Sequence, residues 1–144
     1  MRVTELDITL LTPFIGAEIN GVDLTRPNAE LIGQIENVLQ QYSVVFFRDQ
    51  PTLSPAEHRH LADTFGPIHI HPAAPKDSEH PEILVVRGDA DTKFVAGEVW
   101  HSDVSCDLEP PMGSILMINE VPDSGGDTLF ASMYAAYEAL SDRL

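Results

Sequence analysis

Prolines and glycines set the first limit on what this chain can fold into. The 144 residues include 11 prolines and 9 glycines. Proline lacks a backbone N–H and glycine is conformationally free, so both tend to interrupt helices and strands. Between these breaks, runs of β-branched and aromatic residues predict short strands. The predicted strands are residues 3–11, 16–24, 43–47, 83–87, 99–105, 113–121 and 128–131.

Three segments carry the signals of helices. Over residues 28–41, apolar side chains recur on one face at the helical period. Ser54 and Glu57 form a capping box, which predicts a second helix over residues 54–65. A third helix is predicted from propensity at residues 133–144. Short strands combined with a few helices favour the α+β fold class.

The charge balance excludes several classes of function. Eight lysines and arginines stand against 23 aspartates and glutamates, which gives a net charge of −15. Nucleic acids and anionic membrane surfaces attract basic proteins, so we expect neither as a partner. The first residues lack the pattern of a secretory signal, and the single cysteine, Cys106, fits a reducing compartment. We therefore expect a soluble cytoplasmic protein, and the sequence leaves a homo-oligomer open.

The histidines in the middle of the chain carry the clearest chemical signal. We expect His58, His60 and His80 to be surface residues. His101 and Asp103 lie two apart in a predicted strand, where a side-chain period of two places both on one face. An imidazole and a carboxylate are two of the three ligands of a 2-His-1-carboxylate iron site. A His-x-Asp pair alone is a weak signal, because it also fits an ordinary surface pair.

The motifs around this pair make the signal specific. They include Phe65-Gly66-Pro67-Ile68-His69-Ile70-His71-Pro72, Trp100-His101-Ser102-Asp103 and Gly125-Gly126-Asp127-Thr128, together with residues 15–19, 23–27, 44–50, 110–111 and 135–140. In this order they resemble the TauD/TfdA family of Fe(II)- and 2-oxoglutarate-dependent dioxygenases. The resemblance implies a double-stranded β-helix, a jelly-roll or cupin-like core with flanking helices. Residues 1–144 would form the N-terminal portion of that single domain, incomplete at its C-terminus.

The resemblance also implies roles for individual residues. His101 and Asp103 match two Fe(II) ligands, and Thr128 matches a threonine that hydrogen-bonds the cosubstrate 2-oxoglutarate. His71 matches a substrate-side histidine, and an imidazole suits an anionic substrate. The implied reaction oxidises a small organic substrate, such as a sulfonate, with O₂ and yields succinate and CO₂ as coproducts. Two simpler interpretations stay open, with Thr128 as a strand former and His71 as a loop residue.

Two positions depart from the taurine-oxidising members of the family. Ala74 and Cys106 stand where those enzymes carry aromatic residues that enclose the sulfonate. Taurine is therefore a poor match, and a different anionic or organic substrate fits equally well. We expect Cys106 to be a small buried side chain and Trp100 to pack in the core beside the site.

The family pattern continues with a second iron-binding histidine and a 2-oxoglutarate-binding arginine further downstream. This chain ends before either, and Arg143 does not match that arginine. We therefore expect the N-terminal part of a longer enzyme, with little activity by itself. The alternative is a non-catalytic, truncated fragment that binds metal weakly. A zinc hydrolase is disfavoured because no His-x-x-x-His or cysteine-rich motif accompanies the pair.

Overall fold

The structure is a computed structural model that describes residues 6–72, 74–75, 77–89, 91–93, 95 and 97–142. It divides into two compact units, one of Met1–Thr52 with Asn119–Leu144 and one of Leu53–Ile118. In chain order, the elements are β1 (Asp7–Leu10), β2 (Ala17–Asn20), α1 (Ala29–Tyr42), β3 (Val45–Phe46), α2 (Pro55–Asp63) and α3 (Met133–Glu138). A small sheet with helices confirms the α+β content that the sequence predicts.

The sheet of the first unit has the order β1-β2-β3. Strand β2 pairs antiparallel with β1, where Ile8 lies opposite Ile19, and parallel with β3, where Ala17 lies opposite Val45. Side chains alternate along β2, so Ala17 and Ile19 are buried while the polar residues between and after them are half-buried. The β1–β2 connection turns at Gly16, whose φ of +89° lies in the region that favours glycine.

Helix α1 covers the buried side of this sheet. Its N-terminus is capped by Asn28, whose side-chain oxygen accepts from the N–H of Leu31 at 2.9 Å. The apolar face predicted for this helix is buried as Ile32, Ile35 and Val38, and α1 contacts both β2 and β3. The core of the first unit therefore lies between one helix and two strands. The returning C-terminal segment adds an edge-to-face ring contact between Phe130 and Phe46, with centroids 5.9 Å apart.

The second unit contains α2, which begins as the sequence predicts. Ser54 Oγ accepts from the N–H of Glu57 at 3.3 Å, and Glu57 Oε2 accepts from the N–H of Ser54 at 2.8 Å, which completes the capping box. The helix ends at Asp63, two residues before the predicted end. Thr64 is the C-terminal cap, and its hydroxyl donates to the carbonyl oxygen of Leu61 at 2.6 Å.

The capping box makes a pH dependence predictable. Hydrogen bonds from the Ser54 hydroxyl and then its backbone N–H lower the pKa of Glu57 below 4.5. A lowered folded-state pKa means that this stabilisation is present above the unfolded pKa and is lost as pH falls through the folded pKa. We expect Glu57→Gln to be less stable than wild type at about pH 7 and the difference to narrow towards about pH 3. Urea unfolding of wild type and Glu57→Gln across this pH range measures the difference in unfolding free energy. A difference that does not change with pH would contradict the lowered pKa of Glu57.

Four of the predicted strands are wrong, because the corresponding segments do not form strands in the described part of the chain. Residues 83–87, 99–105, 113–121 and 128–131 form no ladder of paired backbone hydrogen bonds there. A strand requires a neighbouring strand, and these segments have none among the described residues. Their apolar side chains are consequently exposed, for example Val85 at 67% and Leu129 at 69%.

The third helix is shorter than predicted, and the described helices are unsuited to crossing a membrane. The predicted third helix is confirmed from Met133 to Glu138, shorter than residues 133–144, whose last two positions lie outside the described residues. Among the described helices, none combines the length and the apolar character needed to cross a membrane.

Candidate metal centre

His101 and Asp103 lie side by side in the second unit. Nε2 of His101 is 3.2 Å from Oδ1 of Asp103, and both side chains are about half exposed. The segment that carries them is not a strand, and a turn follows directly after Asp103. Val104 adopts a φ of +49°, and the N–H of Asp107 donates to the carbonyl of Val104 at 3.1 Å. The juxtaposition therefore does not depend on the strand period from which it was predicted.

The imidazole of His101 is oriented by a backbone carbonyl. Its Nδ1 lies 2.7 Å from the carbonyl oxygen of Val99, and a carbonyl oxygen can only accept a hydrogen bond. Nδ1 must therefore carry the proton in this contact, which leaves the lone pair of a neutral ring on Nε2. A backbone carbonyl in this role is a common arrangement for metal-binding histidines, since it fixes the tautomer and the ring orientation.

The facing atoms of the pair suit a shared proton or metal ion. A neutral His101 presents the Nε2 lone pair to Oδ1 of Asp103, and both atoms are acceptors at a separation of 3.2 Å. A proton on Nε2 or a metal ion resolves this repulsion. Two ligands bound at right angles about 2.1 Å from one metal ion lie about 3.0 Å apart, close to the distance here. One nitrogen and one oxygen donor suit Fe(II), so the residues present fit two positions of an iron site.

Gly97 leaves room for the His101 ring. A Cβ placed on Gly97 would lie 3.4 Å from Cε1 of His101, and the φ of Gly97 is +90°. Both facts favour glycine, because the conformation is strained for other residues and the ring occupies the adjacent space. Beyond the pair itself, the described residues contain no group of three or more histidine, cysteine, aspartate or glutamate side chains placed to hold a metal ion.

A second histidine–aspartate pair was not predicted from the sequence. His69 Nε2 lies 2.9 Å from Oδ2 of Asp107, and both side chains are partly buried. This contact ties the segment that contains His71 to the turn that follows Asp103. The two residues are 38 positions apart, so no local pattern could have revealed the pair. His71 itself is exposed, and its role in binding substrate stays a prediction.

Thr128 belongs to the first unit, whereas His101 and Asp103 belong to the second. Thr128 is exposed, on an extended segment without ladder hydrogen bonds among the described residues. Its predicted contact with 2-oxoglutarate stays a prediction. Ala74, one of the two positions where the sequence departs from taurine-oxidising relatives, is half-buried in the second unit.

Several expectations about burial need correction. Cys106 is exposed, and Trp100 is 69% exposed, so neither is a core residue in this structure. The same lack of covering strands that exposes Val99 explains the exposure of Trp100, which lies next to it in the chain. Cys106 lies in the turn after Asp103, where its side chain faces outwards.

The other histidines differ in their surroundings. His60 is exposed, as predicted. His58 is half-buried and its Nε2 lies 3.2 Å from the carbonyl oxygen of Ile115, so it connects α2 to the segment at 113–121. His80 is also half-buried, with Nδ1 3.4 Å from Oε1 of Glu82. His58 and His80 are therefore partly exposed, and the sequence did not predict their contacts.

Comparison with known proteins identifies the family. The sequence model described as "Taurine catabolism dioxygenase TauD, TfdA family" matches residues 7–144. This match covers nearly the whole chain, so the chain belongs to the TauD/TfdA family, as the resemblance predicted. Membership is consistent with the donor pair formed by His101 and Asp103.

Individual relatives are identical to this chain at about a third of the aligned positions. An alpha-ketoglutarate-dependent sulfonate dioxygenase of Saccharomyces cerevisiae is 33% identical over 99% of the chain and 37% of the relative. An alpha-ketoglutarate-dependent sulfate ester dioxygenase of Pseudomonas putida is 33% identical over 97% of the chain and 46% of the relative. The chain thus spans less than half the length of these two relatives.

A solved structure supports the likeness in three dimensions. A Burkholderia xenovorans protein assigned as an alpha-ketoglutarate-dependent taurine dioxygenase superposes with a TM-score of 0.76 and is 37% identical. The match covers 96% of this chain and 49% of that protein. The described fold is therefore shared with one part of a larger dioxygenase structure.

Proposed function

We propose that this chain contributes to an Fe(II)- and 2-oxoglutarate-dependent dioxygenase in which His101 and Asp103 bind the iron. The observation that carries the proposal is the orientation of the two donors. Nε2 of His101 and Oδ1 of Asp103 face each other at 3.2 Å, while the other polar atom of each side chain is held by a separate partner. The names of the relatives from yeast and Pseudomonas putida support the same cosubstrate.

The residues present would supply two of the three protein ligands. When bound, Fe(II) with 2-oxoglutarate and O₂ supplies the oxidising chemistry, with succinate and CO₂ as coproducts. His101 and Asp103 hold the metal ion and, as one neutral and one anionic ligand, partly neutralise its charge. The third ligand in this proposal is a further histidine that is not among the six in these 144 residues. Thr128 would donate its hydroxyl to a carboxylate of 2-oxoglutarate.

We propose the double-stranded β-helix as the fold of the complete domain, with residues 1–144 as its N-terminal portion. The unpaired, exposed apolar segments at 83–87, 113–121 and 128–131 support this proposal, because such segments become stable once neighbouring strands cover them. The superposition on the Burkholderia xenovorans protein supports it independently. Location in the cytoplasm stays a prediction from the sequence.

We propose a small anionic sulfonate or sulfate ester as the substrate class. The relatives named as sulfonate and sulfate ester dioxygenases support this class. His71 would hydrogen-bond the anionic group, because an imidazole N–H is a suitable donor to a sulfur oxyanion. Ala74 leaves more room than an aromatic residue would, which favours a substrate larger than taurine.

Succinate formation tests the proposed reaction. We expect the chain, supplied with Fe(II), 2-oxoglutarate and O₂, to form succinate well below about 1 per second, because the described residues assemble only two metal donors. That slow reaction should disappear in Asp103→Ala. Succinate formation that is unchanged in Asp103→Ala would contradict the proposal. Complete absence of succinate would favour the alternative, a non-catalytic fragment that binds metal weakly.

Binding of an alkyl sulfonate tests the role of His71. We expect His71→Ala to weaken binding about tenfold or more, because a hydrogen bond to a charged group is lost. Mn(II) binding should stay unchanged, since His71 is not placed among the metal donors. Isothermal titration of wild type and of His71→Ala with a medium-chain alkyl sulfonate, and separately with Mn(II), distinguishes loss of sulfonate binding from loss of metal binding. His60→Ala is the matched control, and equal sulfonate affinities in wild type and His71→Ala would return His71 to an ordinary loop residue.

A further inference from the structure

We infer that Ser114 is a positioning residue for the candidate iron ligand Asp103. Ser114 Oγ donates to Oδ2 of Asp103 at 2.6 Å. The inference rests on the proposed function, because it assigns Ser114 to the metal site that His101 and Asp103 form. Neither the His-x-Asp pattern nor the family resemblance pointed to this serine.

The hydrogen bond restricts a side chain that would otherwise rotate freely. Asp103 is exposed, and an exposed carboxylate normally samples several rotamers about its short side chain. The contact of 2.6 Å is short, as expected for a hydroxyl that donates to an ionised carboxylate. With Oδ2 held by Ser114, the rotamer of Asp103 is fixed and Oδ1 is directed towards Nε2 of His101.

Ser114 can hold Asp103 because its own segment is anchored. The next residue, Ile115, accepts at its carbonyl oxygen a hydrogen bond from Nε2 of His58 at 3.2 Å. His58 belongs to α2, whose start is fixed by the capping box of Ser54 and Glu57. The contacts therefore run from a capped helix through His58 and Ser114 to Asp103. This anchoring matters because residues 113–121 have no ladder hydrogen bonds among the described residues.

The arrangement gives the two carboxylate oxygens different tasks. Oδ2 accepts from Ser114, whereas Oδ1 faces Nε2 of His101 and is the oxygen better placed for a shared metal ion. Binding through one oxygen uses fewer positions around the metal than binding through both. The coordination positions that stay open can then be taken by a chelating cosubstrate and O₂. Outer partners of this kind typically change metal affinity by 10–100-fold when they are removed.

Two measurements on the 144-residue chain test the inference. The three-bond Hα–Hβ couplings of Asp103, measured by NMR without metal, report whether its χ1 rotamer is fixed. The free Mn(II) signal in EPR titrations reports metal affinity. The variants are Ser114→Ala, which removes the hydroxyl, and Ser114→Thr, which retains it. Ser141→Ala removes an exposed hydroxyl from the other unit and is the matched control.

We expect Ser114→Ala to average the Asp103 couplings and to weaken Mn(II) binding about tenfold. Ser114→Thr and Ser141→Ala should retain wild-type values in both measurements. Thermal unfolding should be similar in all four proteins, because Ser114 and Ser141 are exposed. Wild-type couplings and affinity in Ser114→Ala would overturn the inference while leaving the metal site intact.

A separate outcome identifies failure of the proposed function itself. If Mn(II) binding by wild type does not depend on His101, the metal site is overturned, and the role of Ser114 is overturned with it.

Two histidine variants on α2 test whether the contact of His58 with Ile115 anchors the Ser114 segment. His58→Ala should weaken Mn(II) binding less than Ser114→Ala does, whereas His60→Ala on the same helix should leave it unchanged. Equal behaviour of these two histidine variants would overturn the role of α2.

Discussion

Replacing His101 or Asp103 with alanine is expected to lower the affinity for Mn(II) at least about 100-fold. Each substitution removes one of the two facing donors, whose atoms lie 3.2 Å apart. A single remaining histidine or carboxylate binds a divalent ion only weakly, because chelation by two fixed donors is lost. The effect should exceed that of any partner residue, since partners orient the ligands and do not replace them. EPR titration of free Mn(II) measures it.

The chain offers matched controls for both substitutions. His60 is an exposed histidine on α2, and Asp123 is an exposed aspartate in the other unit. His60→Ala and Asp123→Ala change the charge or the histidine count in the same way without touching the donor pair. Both should bind Mn(II) like wild type. If they weaken binding as much as His101→Ala and Asp103→Ala, the metal is held by the general negative charge of the protein.

Replacing Ile35 with alanine is expected to destabilise the first unit by about 2–5 kcal/mol. Ile35 is 1% exposed and lies on the face of α1 that packs on β2 and β3. The substitution removes buried methyl and methylene groups and leaves a cavity that the small sheet cannot fill. Urea unfolding followed by far-ultraviolet circular dichroism measures the change, since α1 is the longest described helix.

Leu129→Ala is the control for this prediction. Leu129 lies in the same unit but is 69% exposed, so its loss should change the unfolding free energy by less than about 0.5 kcal/mol. A similar, small effect from both substitutions would mean that α1 does not pack on the sheet as described. A large effect from Leu129→Ala would mean that its segment is covered in solution.

Local signals in the sequence were sufficient to locate the helices, although α2 and α3 end earlier than predicted. Asn28 caps α1, and the capping box of Ser54 and Glu57 that the sequence predicts begins α2. These interactions join residues three positions apart, so they form whenever the helix does. The buried face of α1 follows from the helical period in the same way.

Pairing between distant segments was not predictable. The segments at 83–87 and 113–121 have strand-like composition, yet composition does not reveal whether a neighbouring strand is present. Only the pairing of β1, β2 and β3 satisfies this condition among the described residues. Exposure of Trp100 and Cys106 follows from the same cause, because burial needs a covering element.

The candidate site was predicted in part. His101 and Asp103 were found from their spacing and from the family resemblance, although the segment that carries them is not the predicted strand. Ser114 and the pair of His69 with Asp107 were missed, since these contacts join residues 11 and 38 positions apart. Sequence spacing identifies ligands that are neighbours in the chain, whereas the residues that orient them come from elsewhere in the fold.

The most direct test of the account is the retention of Fe(II) under anaerobic conditions, with and without 2-oxoglutarate. Equilibrium dialysis followed by iron determination compares wild type with His101→Ala and Asp103→Ala. We predict that 2-oxoglutarate increases the Fe(II) retained by wild type, because donors from the protein and from the cosubstrate bind the same ion. Neither variant should retain Fe(II) above background. Equal retention by all three proteins, or retention by wild type that 2-oxoglutarate does not change, would contradict the assignment of His101 and Asp103 to a 2-oxoglutarate-dependent iron site.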